Sequence, residues 1–304
     1  MKELLVRGVA LRDVAAILTV TRASDIAILG EPDWTEDEVV ATLTAPNHDP
    51  SVDSWLASGP EGAPLAWAYL DNPASGPRDN VEVYAMPGVA AHGTLLDLAL
   101  PRVAERAREA GHAEVTLRAG VVPSETAYVE ALVERGFAFR KRHARMTREL
   151  TGQERPAEGV RVARASEMRR FHEVFQAAFA DTPDFQPVSY EDWLSSLPAS
   201  SPDEWLVVEV DDRIVGVLQS SDQGLERGEA WVKNLAVLRE HRKHGVGGSL
   251  LRTAFSIYAA KGRTTAGLGV DLTNPTGAYS LYTGVGMSVA FAVDVYERVV
   301  AAAD

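Results

Sequence analysis

The alternation of apolar and polar positions traces the same succession twice along the chain. Ala127-Tyr128-Val129-Glu130-Ala131-Leu132-Val133-Glu134-Arg135-Gly136-Phe137 reads as a short helix closed by glycine and a large apolar residue, and an alternating, strand-like segment runs from Ala138 to Leu150. Ala278-Tyr279-Ser280-Leu281-Tyr282-Thr283-Gly284-Val285-Gly286-Met287 closes in the same manner, and an alternating segment follows from Ser288 to Val300. The repeat implies two halves of about 150 residues, an ordinary domain size. Between them Thr151-Gly152-Gln153-Glu154-Arg155-Pro156-Ala157-Glu158-Gly159 is polar and interrupted by Gly and Pro, as a linker is. The expected domains are therefore 1–150 and 151–304.

The second half predicts a first strand at Val160–Ala163, a helix over Ser166–Ala180 with Ser166 as N-cap, and a short helix after Ser189. A hairpin follows, Trp205–Val210 and Arg213–Ser220 about an Asp211-Asp212 turn. Then come a strand over Glu229–Leu238, a glycine-rich loop over Arg239–Gly248, and an amphipathic helix over Ser249–Ala260 ended by Lys261-Gly262. A buried strand over Gly267–Leu272, a short helix over Thr276–Thr283 and a last strand complete the half. Hairpins followed by strand–loop–helix–strand predict an α/β fold of mixed α+β character, with a sheet flanked by helices.

Composition narrows the chemistry. With 30 basic and 43 acidic residues the net charge is −13, which disfavours binding to nucleic acid through phosphate neutralisation. The same field suits a cationic amine. The chain has no cysteine, which removes disulfides, thiolate metal sites and a cysteine nucleophile. No apolar stretch reaches the roughly 18 residues of a membrane span, and Met1–Arg7 lacks the apolar core of a signal peptide. The expectation is a cytoplasmic protein with neither membrane nor nucleic-acid partner and no metal.

One segment carries recognisable chemistry. A strand ending Leu235-Ala236-Val237 leads into Arg242-Lys243-His244-Gly245-Val246-Gly247-Gly248-Ser249 and then a helix. Glycines let successive amides converge without a Cβ in the way, and a helix start adds positive dipole. The third glycine of a dinucleotide fingerprint is missing from its spacing, and the lysine of a P-loop is absent. Downstream, Asp271-Leu272-Thr273-Asn274-Pro275-Thr276-Gly277-Ala278-Tyr279-Ser280-Leu281-Tyr282 ends a strand and enters a short helix. Loop and downstream segment together, in this order, resemble the GNAT superfamily of acetyl-CoA-dependent N-acetyltransferases over residues 160–300.

That resemblance implies two tandem GNAT-like domains, each a mixed, mostly antiparallel sheet flanked by helices. It implies that Leu235, Ala236 and Val237 meet the pantetheine arm through their backbone. Arg242, Lys243, His244, Gly245, Val246, Gly247, Gly248 and Ser249 would cradle the pyrophosphate, and Asn274 would lie near the pantetheine. Tyr282 takes the place of the tyrosine that protonates the departing thiolate. Members often carry Glu just before the apolar run of the fourth strand, whereas Trp231 stands here; Glu229, two residues earlier on the same strand face, is the candidate base, directly or through water, with Asp271 a further carboxylate. The implied reaction moves acetyl from acetyl-CoA to a small primary amine by direct attack.

The first half, over Val81-Glu82-Val83-Tyr84-Ala85-Met86-Pro87-Gly88, lacks Arg-x-x-Gly-x-Gly, and aligning Gly136 with Gly286 puts Leu132 and Ser124 opposite Tyr282 and Asn274. It reads as a degenerate domain without cofactor, with a structural or substrate-binding role; Trp34, Trp55, Trp67 and His92 receive no function. Tandem members with an inactive first half include mycothiol synthase, which acetylates a cysteinyl pseudodisaccharide, and the architecture is similar to it. A non-catalytic acyl-CoA-binding regulator is the alternative of another class.

Overall fold

The computed structural model describes residues 4–72, 74–180, 182, 185, 187–195, 197, 202–222, 224–225, 228–273 and 277–303. The expected Asn274, together with Pro275 and Thr276, lies outside the described residues. No described helix is long and apolar enough to cross a membrane.

The chain forms two compact units, residues 1–142 with 292–304 and residues 143–291. This division differs from the contiguous halves 1–150 and 151–304, and the reason lies in two long strands. In the first unit the order of elements is β1 (Leu5–Gly8), α1 (Val14–Leu29), α2 (Glu36–Leu43), α3 (Pro50–Asp53), β2 (Ser54–Ser58), β3 (Pro64–Asp71), β4 (Arg78–Ala85), α4 (His92–Glu109), β5 (Glu114–Val121) and α5 (Thr126–Glu134). β6 (Ala138–Glu149) then carries the chain into the second unit, with β7 (Val160–Val162), α6 (Met168–Phe179), α7 (Tyr190–Ser195), β8 (Leu206–Val210), β9 (Arg213–Ser221), β10 (Glu229–Val237), α8 (Val246–Ala260), β11 (Thr265–Asp271), α9 (Ala278–Gly284) and β12 (Ser288–Ala301). His143–Glu149 of β6 pair antiparallel with β11, and Asp294–Ala301 of β12 pair antiparallel with β5. Each alternating segment thus completes the sheet of the other half.

The strand order is β1-β2-β3-β4-β5-β12 in the first unit and β6-β11-β10-β9-β8-β7 in the second. All described pairings are antiparallel except β4–β5 and β10–β11, as the expected mixed, mostly antiparallel class requires. One core of the first unit gathers Leu70, Val81, Leu95, Leu96, Val103 and Leu117, and a second, on the α1 side, gathers Ile17, Leu56, Trp67 and Tyr69. In the second unit Phe171, Val174, Trp193, Trp205, Val217 and Ala236 pack together beneath α6.

Local chemistry sets the element ends. Asp211 and Asp212 both adopt positive φ, 49° and 58°, the twist a two-residue hairpin turn requires. The expected start of α6 at Ser166 is instead a 3-10 turn over Ala165–Glu167. There the Glu167 carboxylate, held by Arg161 at 2.7 Å, accepts the Arg164 amide at 2.8 Å. Ser189 does cap α7, its Oγ accepting the Asp192 amide at 3.0 Å. α8 begins at Val246, one turn earlier than expected, so Gly247 and Gly248 are helical rather than part of a loop. Gly216 of β9 permits this: a Cβ there would lie 2.6 Å from Val246 Cγ1, so the helix start sits tight on the sheet.

Candidate functional site

The site begins with an irregularity in β10. Val232 pairs with Ser220 and Asn234 with Gln219, which leaves Lys233 as the extra residue of a bulge. The parallel partner β11 follows β10 only from Glu229 to Val232. Beyond the bulge the two strands part. The Leu238 amide bonds to Val215 O at 2.9 Å across the Val237–Gly216 pair, so Leu235 and Val237 turn their own peptide groups away from β9, toward the split. Ala236, the residue between, spends its backbone in the ladder and its side chain in the core under α6. Leu235 and Val237 thus present peptide groups to the split, and Ala236 does not.

At the end of the split stands the N-terminus of α8. Lys243 and Gly245 hold positive φ, 65° and 83°, and the first helical bond is Ser249 N to Gly245 O at 2.9 Å. The amides from Lys243 to Gly248 find no acceptor among the described residues; they form a donor surface at the positive end of a 15-residue helix. Leu281 packs close over the helix start, its Cδ2 2.9 Å from where a Cβ on Gly247 would lie.

A cavity of about 420 Å³ joins the strand split to this donor surface, lined among others by Leu235, Val237, Lys243, Gly247, Leu281 and Tyr282. Arg242, Gly245, Val246, Gly248 and Ala236 also line it. Arg242, however, commits its Nε to Val237 O at 3.1 Å and its Nη2 to Ala178 O at 2.7 Å; it ties the end of α6 to the end of β10. His244 is exposed and outside the lining, and the Ser249 amide is consumed by the first helical turn. Sequence reasoning missed Lys233, Phe179, Thr182 and His241, which also line the cavity. Nothing in the local sequence marks a bulge, and the α6 residues reach the site only through sheet packing.

Tyr282 of α9 is buried against this cavity, and burial pushes its phenol up to about 12. It makes no hydrogen bond among the described residues, so at neutral pH the site holds an available proton donor. Glu229 is placed differently. It precedes the first lining residue of β10, Val232, by roughly 10 Å of extended strand. Its Oε2 is ion-paired with Arg145, whose guanidinium lies 4.9 Å from the Trp231 ring centroid. Its Oε1 is buried without a partner. Glu229 and Trp231 stand over Gly267 of β11, and Gly269 beyond it faces open space. On this same face, opposite α8, Asn234 donates to Gln219 Oε1 at 2.7 Å while Gln219 Nε2 is buried unpaired. Asp271, at the end of β11, accepts the Thr273 amide at 2.8 Å and so caps the turn that follows. No group of acidic or histidine side chains among the described residues is arranged to hold a metal ion.

The comparisons agree with this geometry. The profile of the acetyltransferase (GNAT) family matches residues 167–287. A GCN5-related N-acetyltransferase from Sphaerobacter thermophilus superposes with a TM-score of 0.76 at 23% identity, covering 99% of this chain and 97% of its own. A tandem GNAT protein from the clavulanic acid biosynthesis pathway gives 0.64 at 16%, covering 99% and 100%. A GNAT-family acetyltransferase from Colwellia psychrerythraea gives 0.56 at 12%, covering 96% and 98%. At such identities the likeness is one of fold. No curated protein sequence matches the chain. The acetyltransferase (GNAT) family profile thus matches the cavity-bearing region, residues 167–287, and over its full length the chain is similar in fold to tandem GNAT structures.

Proposed function

We propose that the second unit transfers acetyl from acetyl-CoA to a small primary amine by direct attack. The observation that carries this reading is the continuity of the anion-facing amides of Lys243–Gly248 with the split between β10 and β11 in one cavity. Acetyl-CoA supplies an activated acetyl thioester. The α8 amides, with Lys243 beside them, suit its pyrophosphate, and the outward peptide groups of Leu235 together with the Val237 amide suit its amide-bearing arm. Tyr282, kept protonated by burial, is the donor to the leaving thiolate. Asn234, Gln219 and the glycine floor of β11 suit a polar acceptor arriving from the opposite face. The unpaired Oε1 of Glu229 is the proposed proton acceptor, working through water because the strand holds it outside the cavity.

The first unit is read as the degenerate member of the pair. Its β3–β4 ladder runs without a bulge, and the position matching Tyr282 holds the buried Leu132. Near the start of α4 and α5, His92 stacks on the fully buried Tyr128 at 4.8 Å.

A second reading, a non-catalytic acyl-CoA binder, draws on Trp231 and on the Arg145 clamp over Glu229. Calorimetric titration with acetyl-CoA, followed by a thiol-release assay over a panel of primary amines, separates the two. Binding with amine-dependent CoA release is expected. Binding without release for any amine favours the regulator, and the absence of binding overturns both readings.

A further inference from the structure

In the first unit, β3 and β4 set Trp67 opposite Tyr84 and Tyr69 opposite Glu82, so four side chains share one face as a square. Three corners are aromatic: Trp67 stacks on Tyr69 at 4.6 Å and on Tyr84 at 5.8 Å. Trp34, on the segment between α1 and α2, stands edge-on to all three at 5.4, 6.2 and 5.7 Å. Asp25 of α1 fixes that segment by accepting the Asp33 amide at 3.1 Å.

The fourth corner is Glu82. Its carboxylate reaches over Gly120 of β5, where a Cβ would lie 3.9 Å from Oε1. It is half-buried, so it can be reached from solvent, and it takes no hydrogen bond from any described residue. The charged groups that act on it, Asp71 of β3 and Glu125 ahead of α5, are both acidic. From α5, Tyr128 is 2% exposed, its Oη has no partner, and it lies close enough to Glu82 and Glu125 for both to hold its proton more tightly. An unpaired carboxylate at the foot of an aromatic wall asks for a cation with apolar surface. A metal ion would need several oxygen or nitrogen ligands, and no such group exists among the described residues.

We propose that this face binds an alkylammonium group, its nitrogen on Glu82 and its carbons against Trp34, Tyr69 and Tyr84. The site is separate from the cavity of the second unit and stands whether or not that cavity binds acetyl-CoA. It gives the first unit a ligand of the same chemical class as the proposed acceptor. Burial, with Asp71 and then Glu125, pushes the free Glu82 carboxyl up to about 8. Seating a cation requires its ionised form, so binding at neutral pH releases a proton. Tyr69, Tyr84 and Tyr128 are raised by burial and by Glu82, and Asp25 by burial. The His92 imidazole, stacked on Tyr128, is lowered by burial; none of these supplies a competing positive charge at neutral pH.

The test is 19F NMR of the full chain labelled with fluorotryptophan, titrated with n-butylammonium and tetramethylammonium chloride against sodium chloride at matched ionic strength. Saturable shifts of the Trp34 and Trp67 resonances are expected, with Trp193 and Trp205 unmoved. The affinity should weaken about tenfold in Glu82→Gln and tighten as the pH rises through about 7 toward 8. Shifts no larger than those of sodium chloride, shifts confined to the tryptophans of the second unit, or an unchanged affinity in a folded Glu82→Gln would each overturn the proposal. Because the wild-type shift map needs no variant, the test survives if Glu82→Gln fails to fold.

Discussion

At the scale of single residues, burial decides the protonation state of the groups that matter. Tyr282 enters the cavity as a phenol whose proton is held up to about 12, which suits a donor to a leaving thiolate and not a base. Tyr282→Phe keeps the ring and removes the proton; kcat is expected to fall about 10- to 100-fold with acetyl-CoA affinity unchanged, as calorimetry beside steady-state kinetics would show. His92 presents the opposite case. Burial lowers its imidazole to about 4, so the unfolded chain takes up that proton first. The corresponding stability is complete above pH about 6.5 and is lost as the pH falls toward about 4. Relative to His92→Gln, the wild-type chain should lose on the order of 2–3 kcal/mol more over that window, measurable by urea unfolding at a series of pH values. Arg242 shows the limit of reading roles from residue type: a cation beside the glycine-bearing start of α8 is engaged by two backbone carbonyls.

At the scale of elements, the bulge at Lys233 makes the cavity. It ends the parallel pairing of β10 with β11 and turns the edges of Leu235 and Val237 toward the gap. β4, with an unbroken ladder against β3, has no such device. Deleting Lys233 should restore a continuous β9–β10 register, and the variant should fold while losing the thermal stabilisation given by acetyl-CoA. At a hundred times its dissociation constant a ligand adds about 2.7 kcal/mol, so the loss is readily seen by scanning fluorimetry. The order of strands and helices in the second half was legible in the sequence because alternation, turn residues and helix ends are local properties. The bulge was not, since Val232-Lys233-Asn234 carries no turn residue, and the extra residue is defined only against its partner on β9.

At the scale of the whole molecule, sequence halves and structural units do not coincide. β11 is completed by His143–Glu149 from the first half, and β5 by Asp294–Ala301 from the second. Cutting at the polar linker after Leu150 therefore strips each sheet of a strand and leaves β5 and β11 with open edges. Fragments 1–150 and 151–304 expressed separately should aggregate or remain unfolded, whereas their co-expression should yield a folded, co-purifying pair. A stable, acetyl-CoA-binding fragment 151–304 would contradict this exchange.

Tyr282 became a candidate through resemblance to a known family; the sequence by itself determined the fold class, the repeat and the position of the glycine loop. These depend on local periodicity and on residue types that only certain backbones accept. Tertiary structure decided which half each alternating strand completes, which backbone edge faces the cavity, that Arg242 is engaged by carbonyls, and that Glu82 meets three aromatic rings. Those outcomes depend on register and on neighbours far away in the chain: a strand's alternation says that it has two faces, and only its partners say what each face meets.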